Sequence, residues 1–546
     1  MGAEHEVDWR ESADNSLLRI AASNWMADSD DWFNNAFEKL PETVRVNPLR
    51  ADAADVEAWI ASLDAKCSEW YPGPGSCWTL PFARGSAPDN VRQTLISLHE
   101  TGRLTRQEAV SMIPVIVLRP EPGEVILDMC SSPGSKTTQI AEFLNGEGLV
   151  VANERSRKRC NLLISNLQRH RSRSSIVVNH DGRHLPALAG SQGYDAILVD
   201  VPCTGSGTTR KNPEVWRQWK PSGGLGLQGM QVGLLNKAID LARPGGRVVY
   251  STCSIDPIEN EGVVSAVLGS RADVVLENID GRLNGVEMGD GLNSWISLDD
   301  ELNPLEVGDR CSNLVGFDYK MLSNTKRILG HKMNAGGFFV ASIRKREDSP
   351  TVIEKGDMPI KIPEDRREAS QPISLEAGEK FKHEFRGSIV NLWERGRKIF
   401  LGTSKMLDVW KSETVVSNGN AKISGDRWRP LKVIQVGCEI VESRPPDILR
   451  VVEKGVHFSR EFATNKILVI DREDLIMLLE GGALDRSSLL NGDSFGSGGW
   501  LVSDRWDRDP LPVWLGSKIT AMASRHERTS RLKLIGDDTP GDRIDE

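Results

Sequence analysis

Two cysteines, Cys203 and Cys253, stand 50 residues apart, each directly after a short apolar run. The first run is AILVDVPCTGSGTTRKN, with Asp200 and Pro202 ahead of the thiol. The second is RVVYSTCSIDPIENE, with Thr252 before Cys253. Both runs are short and rich in β-branched residues, the pattern of strands buried on both faces of a parallel sheet. Ligands of open α/β sheets bind beyond the carboxyl ends of the strands. Two thiols and a carboxylate at that edge suit a thiol nucleophile, an assisting thiol and a proton-handling acid. Buried free cysteine is often only a small hydrophobe, and for either thiol alone that reading carries equal weight. The pair together, beside the loop considered next, favours chemistry.

ILDMCSSPGSKTTQ follows an earlier apolar run and has Gly134 as its sole glycine. It matches neither the GxGxxG fingerprint nor the GxxxxGK[ST] phosphate loop. A strand-to-helix turn can still offer backbone N–H groups to an anion, and a carboxylate serves as well as a pyrophosphate. Acids follow the successive strand-like runs: Asp128 before the loop, Glu154 in VVANE and Asp181 in VVNHD. An acid after the second strand is placed to accept ribose hydroxyls, and Asp181 falls near where an adenine amino group would lie. The series suits an adenosine with a cationic, amino-acid-like tail, so S-adenosylmethionine is expected in preference to NAD.

The elements that must position these groups alternate from Glu124 onward. EVILDM, GLVVANE, SSIVVNHD, YDAILVD and RVVYSTC read as strands. SPGSKTTQIAEFL, RKRCNLLISNLQRH and MQVGLLNKAIDLARPGG read as helices, and residues 334–345 as a late closing strand. The alternation predicts an α/β, doubly wound, mostly parallel sheet. The expected division is an N-terminal extension over 1–110, the sheet domain over 111–346 and a charged linker over 347–379. A β-rich module over 380–480, a second small module over 481–535 and a tail over 536–546 complete it.

Hydrophobic residues make up 39% and charged residues 27% of the 546, as in water-soluble globular chains. No run is long enough to span a bilayer, and the acidic first segment lacks the apolar core of a secretory signal. The eight cysteines contain no CxxC pair, which argues against a zinc ribbon or a disulfide scaffold and predicts no metal. The net charge of −9 does not advertise a nucleic-acid binder, but local basic surface suffices for contact. Arg155–Arg173, Arg210 with Lys211, and the C-terminal SRHERTSRLKL supply it.

The motifs resemble one known family. DMCSSPGSKTTQ is similar to the DxCAAPGxKT loop of the Sun-type (Nop/Sun) RNA cytosine-5 methyltransferases. DVPCTGSGT resembles their D-x-P-C-[ST]-G element and YSTCSIDPIENE their S-T-C-S element. TRQEAVSMIP, VVNHD, GTTRKN and GGFFVA resemble the eukaryotic tRNA cytosine-5 branch, and the likeness runs from about Val46 to Lys345. Glu154 stands where aspartate is usual, and Ser206 where an acid is often found. The resemblance implies a Rossmann-like class I methyltransferase sheet, an N-terminal RNA-recognition extension and a PUA-like C-terminal module. It implies S-adenosylmethionine as cofactor, tRNA as partner, and a nuclear, nucleolus-compatible location. By resemblance Cys253 is the nucleophile, Cys203 assists product release, and Asp200 and Lys136 serve the target base. Cys130, Ser131, Ser132, Pro133, Gly134, Ser135, Lys136, Glu154, Asp181 and Asp200 would bind the cofactor. A DNA cytosine-5 enzyme, which lacks the paired Thr-Cys motif, and a non-catalytic RNA-binding scaffold, which has no need of Asp200 and both thiols, are the competing readings.

Overall fold

The computed structural model describes residues 8–188, 193–305, 317–349, 370–387, 390–411, 413–415, 422–424, 431–445, 448–489, 495–505 and 508–535. The predicted linker therefore falls mostly outside the described residues.

Five parallel strands form the centre: β1 (Val125–Asp128), β2 (Leu149–Asn153), β3 (Ser175–Val178), β4 (Tyr194–Asp200) and β5 (Ala242–Thr252). They lie in the order β3-β2-β1-β4-β5. The order reverses between β1 and β4, the switch point at which such sheets open a crevice. Beyond β5 runs antiparallel β8 (Phe338–Lys345), whose outer edge carries β6 (Val274–Glu277) and β7 (Lys326–Ile328). Successive side chains alternate between faces, as the strand period requires. Leu127, Val151 and Val199 pack with Leu235 and Ile239 of helix α4 (Pro221–Leu241) and Val263 and Val264 of α5 (Glu261–Ser270). Ile126, Val150 and Leu198 pack on the opposite face with Ile113 of α1 (Ala109–Leu118) and Ile140 of α2 (Ser135–Phe143). Helix α3 (Arg157–His170) covers Ala152 and Val177 through Leu163 and Leu167.

The N-terminal extension places a four-stranded antiparallel sheet (41–106) beside this core. The C-terminal part holds two five-stranded sheets. The run KVIQVGCEIVES, which reads as one strand, is divided at Gly437. Its first half is β9 (Val433–Val436), which pairs antiparallel with β3 and completes the central sheet. Its second half, Cys438–Arg444, belongs to a C-terminal sheet. Gly437 has φ +41°, and a Cβ there would lie 2.0 Å from the Leu401 carbonyl oxygen, so the switch between sheets requires glycine.

Where β9 docks, the Lys432 N–H donates to His180 Nε2 at 2.9 Å. Burial, then the Lys432 charge, hold the His180 imidazole down to about 4. An undocked imidazole titrates near 6.5, so between these values the undocked state binds more protons. The docking stabilisation from His180 is thus full above pH 6.5 and declines as pH falls toward 4. Amide exchange along Lys432–Val436, corrected for intrinsic rates, is expected to rise by up to roughly tenfold from pH 7 to pH 5. His180→Gln is expected to flatten that pH profile.

Candidate active site

The carboxyl ends of β4 and β5 are adjacent, since Asp200 pairs with Ser251 across the ladder. The loops leaving these strands carry Cys203 and Cys253, whose sulfurs lie 3.3 Å apart. The loops are sewn together by backbone. The Gly207 N–H donates to the Cys253 carbonyl at 2.9 Å, and the Gly337 N–H donates to the Gly207 carbonyl at 2.7 Å. A Cβ on Gly207 would sit 2.4 Å from the Gly337 oxygen, so this approach excludes any larger residue. The Cys203 thiol is pushed well above its ordinary range by its hydrogen bond with Cys253, then by burial.

Lys136, in the first turn of α2, faces the pair from across the switch point. Its Nζ lies 2.8 Å from Asp200 Oδ2 and donates to Ser111 Oγ at 2.9 Å. The Ser251 hydroxyl donates to the other Asp200 oxygen at 2.8 Å. Burial works against the Lys136 charge, but the Asp200 carboxylate outweighs it and holds the ammonium above its usual range. Lys136, Asp200 and Cys253 line one cleft of about 460 Å³ with Arg84, Arg106 and Lys211 at its walls.

The turn of residues 130–135 follows β1. Gly134 caps α2 with φ +114°, and a Cβ there would meet Leu163 Cδ1 at 2.9 Å. Asp128 is buried and accepts the Thr137 hydroxyl at 2.6 Å. Burial, and then the charge of Asp200 against the opposing Thr137 bond, leave its carboxyl near 6. Asp128 therefore braces the loop from inside. Burial drives the Cys130 thiol upward, so it stands in the turn as a neutral group. Ser131 donates its hydroxyl to the Asp128 carbonyl at 2.7 Å, and the Ser132 carbonyl accepts Arg159 Nη2 at 2.6 Å. Pro133 and Ser135 line the cleft beside Gly134.

Glu154 directly follows β2 and accepts the Ser156 N–H at 2.7 Å through Oε1, with Arg159 Nε 3.6 Å from Oε2. Asp181 caps a short 3₁₀ turn and is gripped by the Arg183 fork at 3.1 and 2.8 Å, which lowers its carboxyl to about 2. Four acids thus stand at four successive strand ends around a turn of backbone amides. That donor set fits an adenosine with a positively charged tail, and fits a dinucleotide pyrophosphate poorly.

The basic clusters divide. Lys211 and Arg169 line the cleft. Arg210 is fastened to the Glu38 and Lys39 carbonyls and to Asn334, and Arg173 to Glu461. Arg171 is buried in an ion cluster. These three brace the fold. Ser111 and Ser251, which hold Lys136 and Asp200, stand inside the TRQEAVSMIP and YSTCS motifs, which give no sign of the bonds they make. Arg84 and Arg106 escape sequence reading because only the folded extension brings them over the switch point. Ser206 lies fully buried between the two cysteine loops.

The sheet order and the acids at its carboxyl edge define a Rossmann-like class I methyltransferase fold. Residues 115–344 match the family model described as 16S rRNA methyltransferase RsmB/F. The chain is 35% identical over 253 residues to the tRNA (cytosine(49)-C(5))-methyltransferase of Pyrococcus abyssi, which covers 46% of this chain and 78% of that protein. It belongs to this Sun-type RsmB/F methyltransferase family. It is 37% identical over 307 residues to the multisite-specific tRNA:(cytosine-C(5))-methyltransferase of Saccharomyces cerevisiae, covering 51% and 45% of the two chains. With the tRNA (cytosine(34)-C(5))-methyltransferase of Drosophila melanogaster it shares 34% identity over 350 residues, covering 56% and 46%. The match spans about half the length of the yeast and fly proteins.

Proposed function

We propose that the protein is a tRNA cytosine-5 methyltransferase that uses S-adenosylmethionine. The observation that carries this reading is the pair of sulfurs 3.3 Å apart beside the Lys136–Asp200 pair at the switch-point cleft. The tRNA-modifying relatives from an archaeon, a yeast and a fly favour tRNA over other RNAs.

Carbon 5 of cytosine is a poor nucleophile. Cys253 adds its sulfur to C6, which turns the ring into an enamine with a reactive C5. Asp200 faces the N3/N4 edge and favours the protonated form of the ring, and Lys136 holds that carboxylate in place. S-Adenosylmethionine, when bound, supplies an electrophilic methyl group. The C5 proton passes to water and the electron pair of the breaking S–C6 bond returns to the Cys253 sulfur, which Cys203 assists by offering its thiol proton, so that the aromatic ring is restored. Splitting the reaction through the thioether replaces one hard step by easier ones.

Cys130, Ser131, Ser132, Pro133, Gly134 and Ser135 cradle the amino-acid end of the cofactor, Glu154 the ribose, and Asp181 the adenine side. The target base must leave its stack to enter the cleft, and Arg84, Arg106, Arg169 and Lys211 hold the flanking phosphates. The N-terminal sheet acts as the RNA-recognition extension and the C-terminal sheets as PUA-like modules that hold the tRNA body. A nuclear location belongs to the same reading, supported by the resemblance of the motifs to the tRNA branch, and imaging of a tagged protein checks it.

The test offers unmodified tRNA, ribosomal RNA and duplex DNA with methyl-labelled cofactor, and maps the product by bisulfite sequencing. Transfer to C5 of tRNA cytosine is expected. Transfer confined to ribosomal RNA or DNA overturns the substrate, and no transfer overturns the activity. Asp200→Asn is expected to lower kcat by about a hundredfold or more. Unchanged kcat would remove Asp200 from the chemistry.

A further inference from the structure

We propose that Glu259 is a positioning residue that locks the two cysteine loops at their working separation. This rests on the two-thiol reading above. Glu259 is fully buried beneath the thiols. Its Oε1 accepts the Thr204 N–H at 2.9 Å and Gln231 Nε2 at 2.9 Å. Its Oε2 accepts the Thr204 hydroxyl at 2.5 Å and the Ser254 hydroxyl at 2.7 Å. Thr204 follows Cys203 and Ser254 follows Cys253. One carboxylate therefore grips the residue next to each sulfur.

The grip is reinforced on both sides. Gln231 Nε2 also donates to the Pro202 carbonyl at 3.0 Å, just before Cys203. Ser206 and Ser254 share a hydroxyl contact at 2.8 Å, and Ser206 accepts the Ile255 N–H at 2.9 Å. The Tyr250 hydroxyl donates to the Glu259 carbonyl, fixing its backbone to β5. The four donors to the carboxylate are all neutral. Burying a carboxylate costs several kcal/mol, and it is tolerated where hydrogen bonds satisfy its lone pairs. An apolar residue would fill the same space without that cost, but it could not bind two loops at once. The Glu259 charge also contributes to keeping Cys203 protonated, after the Cys253 hydrogen bond, burial and the Cys253 charge.

The test compares wild type with Glu259→Gln, an isostere whose NH₂ faces donors. Phenylarsine oxide bridges two thiols only when they are close, so the bridging rate read by intact mass reports the sulfur pair without any turnover. Glu259→Gln is expected to slow bridging by about tenfold or more and to lower kcat by about a hundredfold. KM for RNA and cofactor is expected to stay within about threefold. Unchanged bridging and kcat overturn the proposal, and so does a lower melting temperature with both retained. If Glu259→Gln does not fold, Thr204→Val, which removes one of the four bonds, is expected to slow both rates by at least about threefold. No slowing overturns the proposal. A wild type that bridges arsenic but transfers no methyl group sinks the methyltransferase reading, while the bridging comparison still judges Glu259.

Discussion

Cys203→Ala is expected to accumulate an RNA–protein adduct that survives denaturation, whereas Cys253→Ala forms none and loses turnover by about ten-thousandfold or more. The physical ground is the asymmetry between two thiols in contact. Cys203 is held protonated by its hydrogen bond with Cys253 and by burial, so at neutral pH it stands as a neutral thiol beside its neighbour. Cys253 lines the cleft beside Lys136 and Asp200. A sulfur bonded to C6 at Cys253 thus keeps a neutral thiol 3.3 Å away. Without that thiol the adduct forms and cannot leave. Denaturing gels with labelled RNA and cofactor read both outcomes, and a swap of the two phenotypes would reverse the roles.

Glu527→Ala is expected to cost about 3–5 kcal/mol of stability, because it strands buried guanidinium groups. Glu527 is fully buried in the C-terminal helix Arg525–Ile535. It accepts a two-pronged bond from Arg103 at 2.9 and 3.0 Å, Arg171 Nη2 at 3.1 Å and Arg531 Nε at 2.8 Å. Beside it, Asp509 lies 3.1 Å from Arg50 and 3.7 Å from Arg171, and Asp52 accepts Arg103 Nε at 2.7 Å. Burial opposes the Glu527 charge, but Arg103, Arg531 and Arg171 hold its carboxyl well below the ordinary range. Its contribution is therefore present at neutral pH and lost in acid. Urea unfolding measures the loss. A change under 1 kcal/mol would show that the cluster is not what joins these segments.

The strands and the polar residues at their ends were legible because the information is local. Apolar runs from Val125, Leu149, Tyr194 and Arg247 each end in a polar or thiol side chain at the carboxyl edge of the sheet. Asp200, Cys253 and Lys136 line one cleft, and Cys203 touches Cys253 behind it. Helix α4 starts at Pro221, nine residues before the apolar spacing suggests, because its first turns hold Gly223, Gly224, Gly226 and Gly229. Gly224 explains one of them, since a Cβ there would sit 2.5 Å from Asp256 Oδ2. Residue types favouring a loop were overridden by the packing of that helix against the second cysteine loop. The Glu259 network was hidden for a different reason, although Thr204, Ser254 and Glu259 lie inside the DVPCTGSGT and YSTCSIDPIENE motifs. Its members, Thr204, Gln231 and Ser254, share no periodicity and meet only when two loops and a helix converge. The docking of β9 was hidden because no local rule tells which sheet an apolar run will join.

The bond from Arg103 to Glu527 spans 424 residues of chain. At ribosomal rates of roughly 5–20 residues per second, the first partner waits on the order of half a minute for the second. The N-terminal extension must therefore persist as a partly finished surface, with Arg103 lacking its Glu527 partner, until the helix Arg525–Ile535 leaves the ribosome. A nascent chain stalled ahead of residue 525 is expected to be the species that chaperones hold.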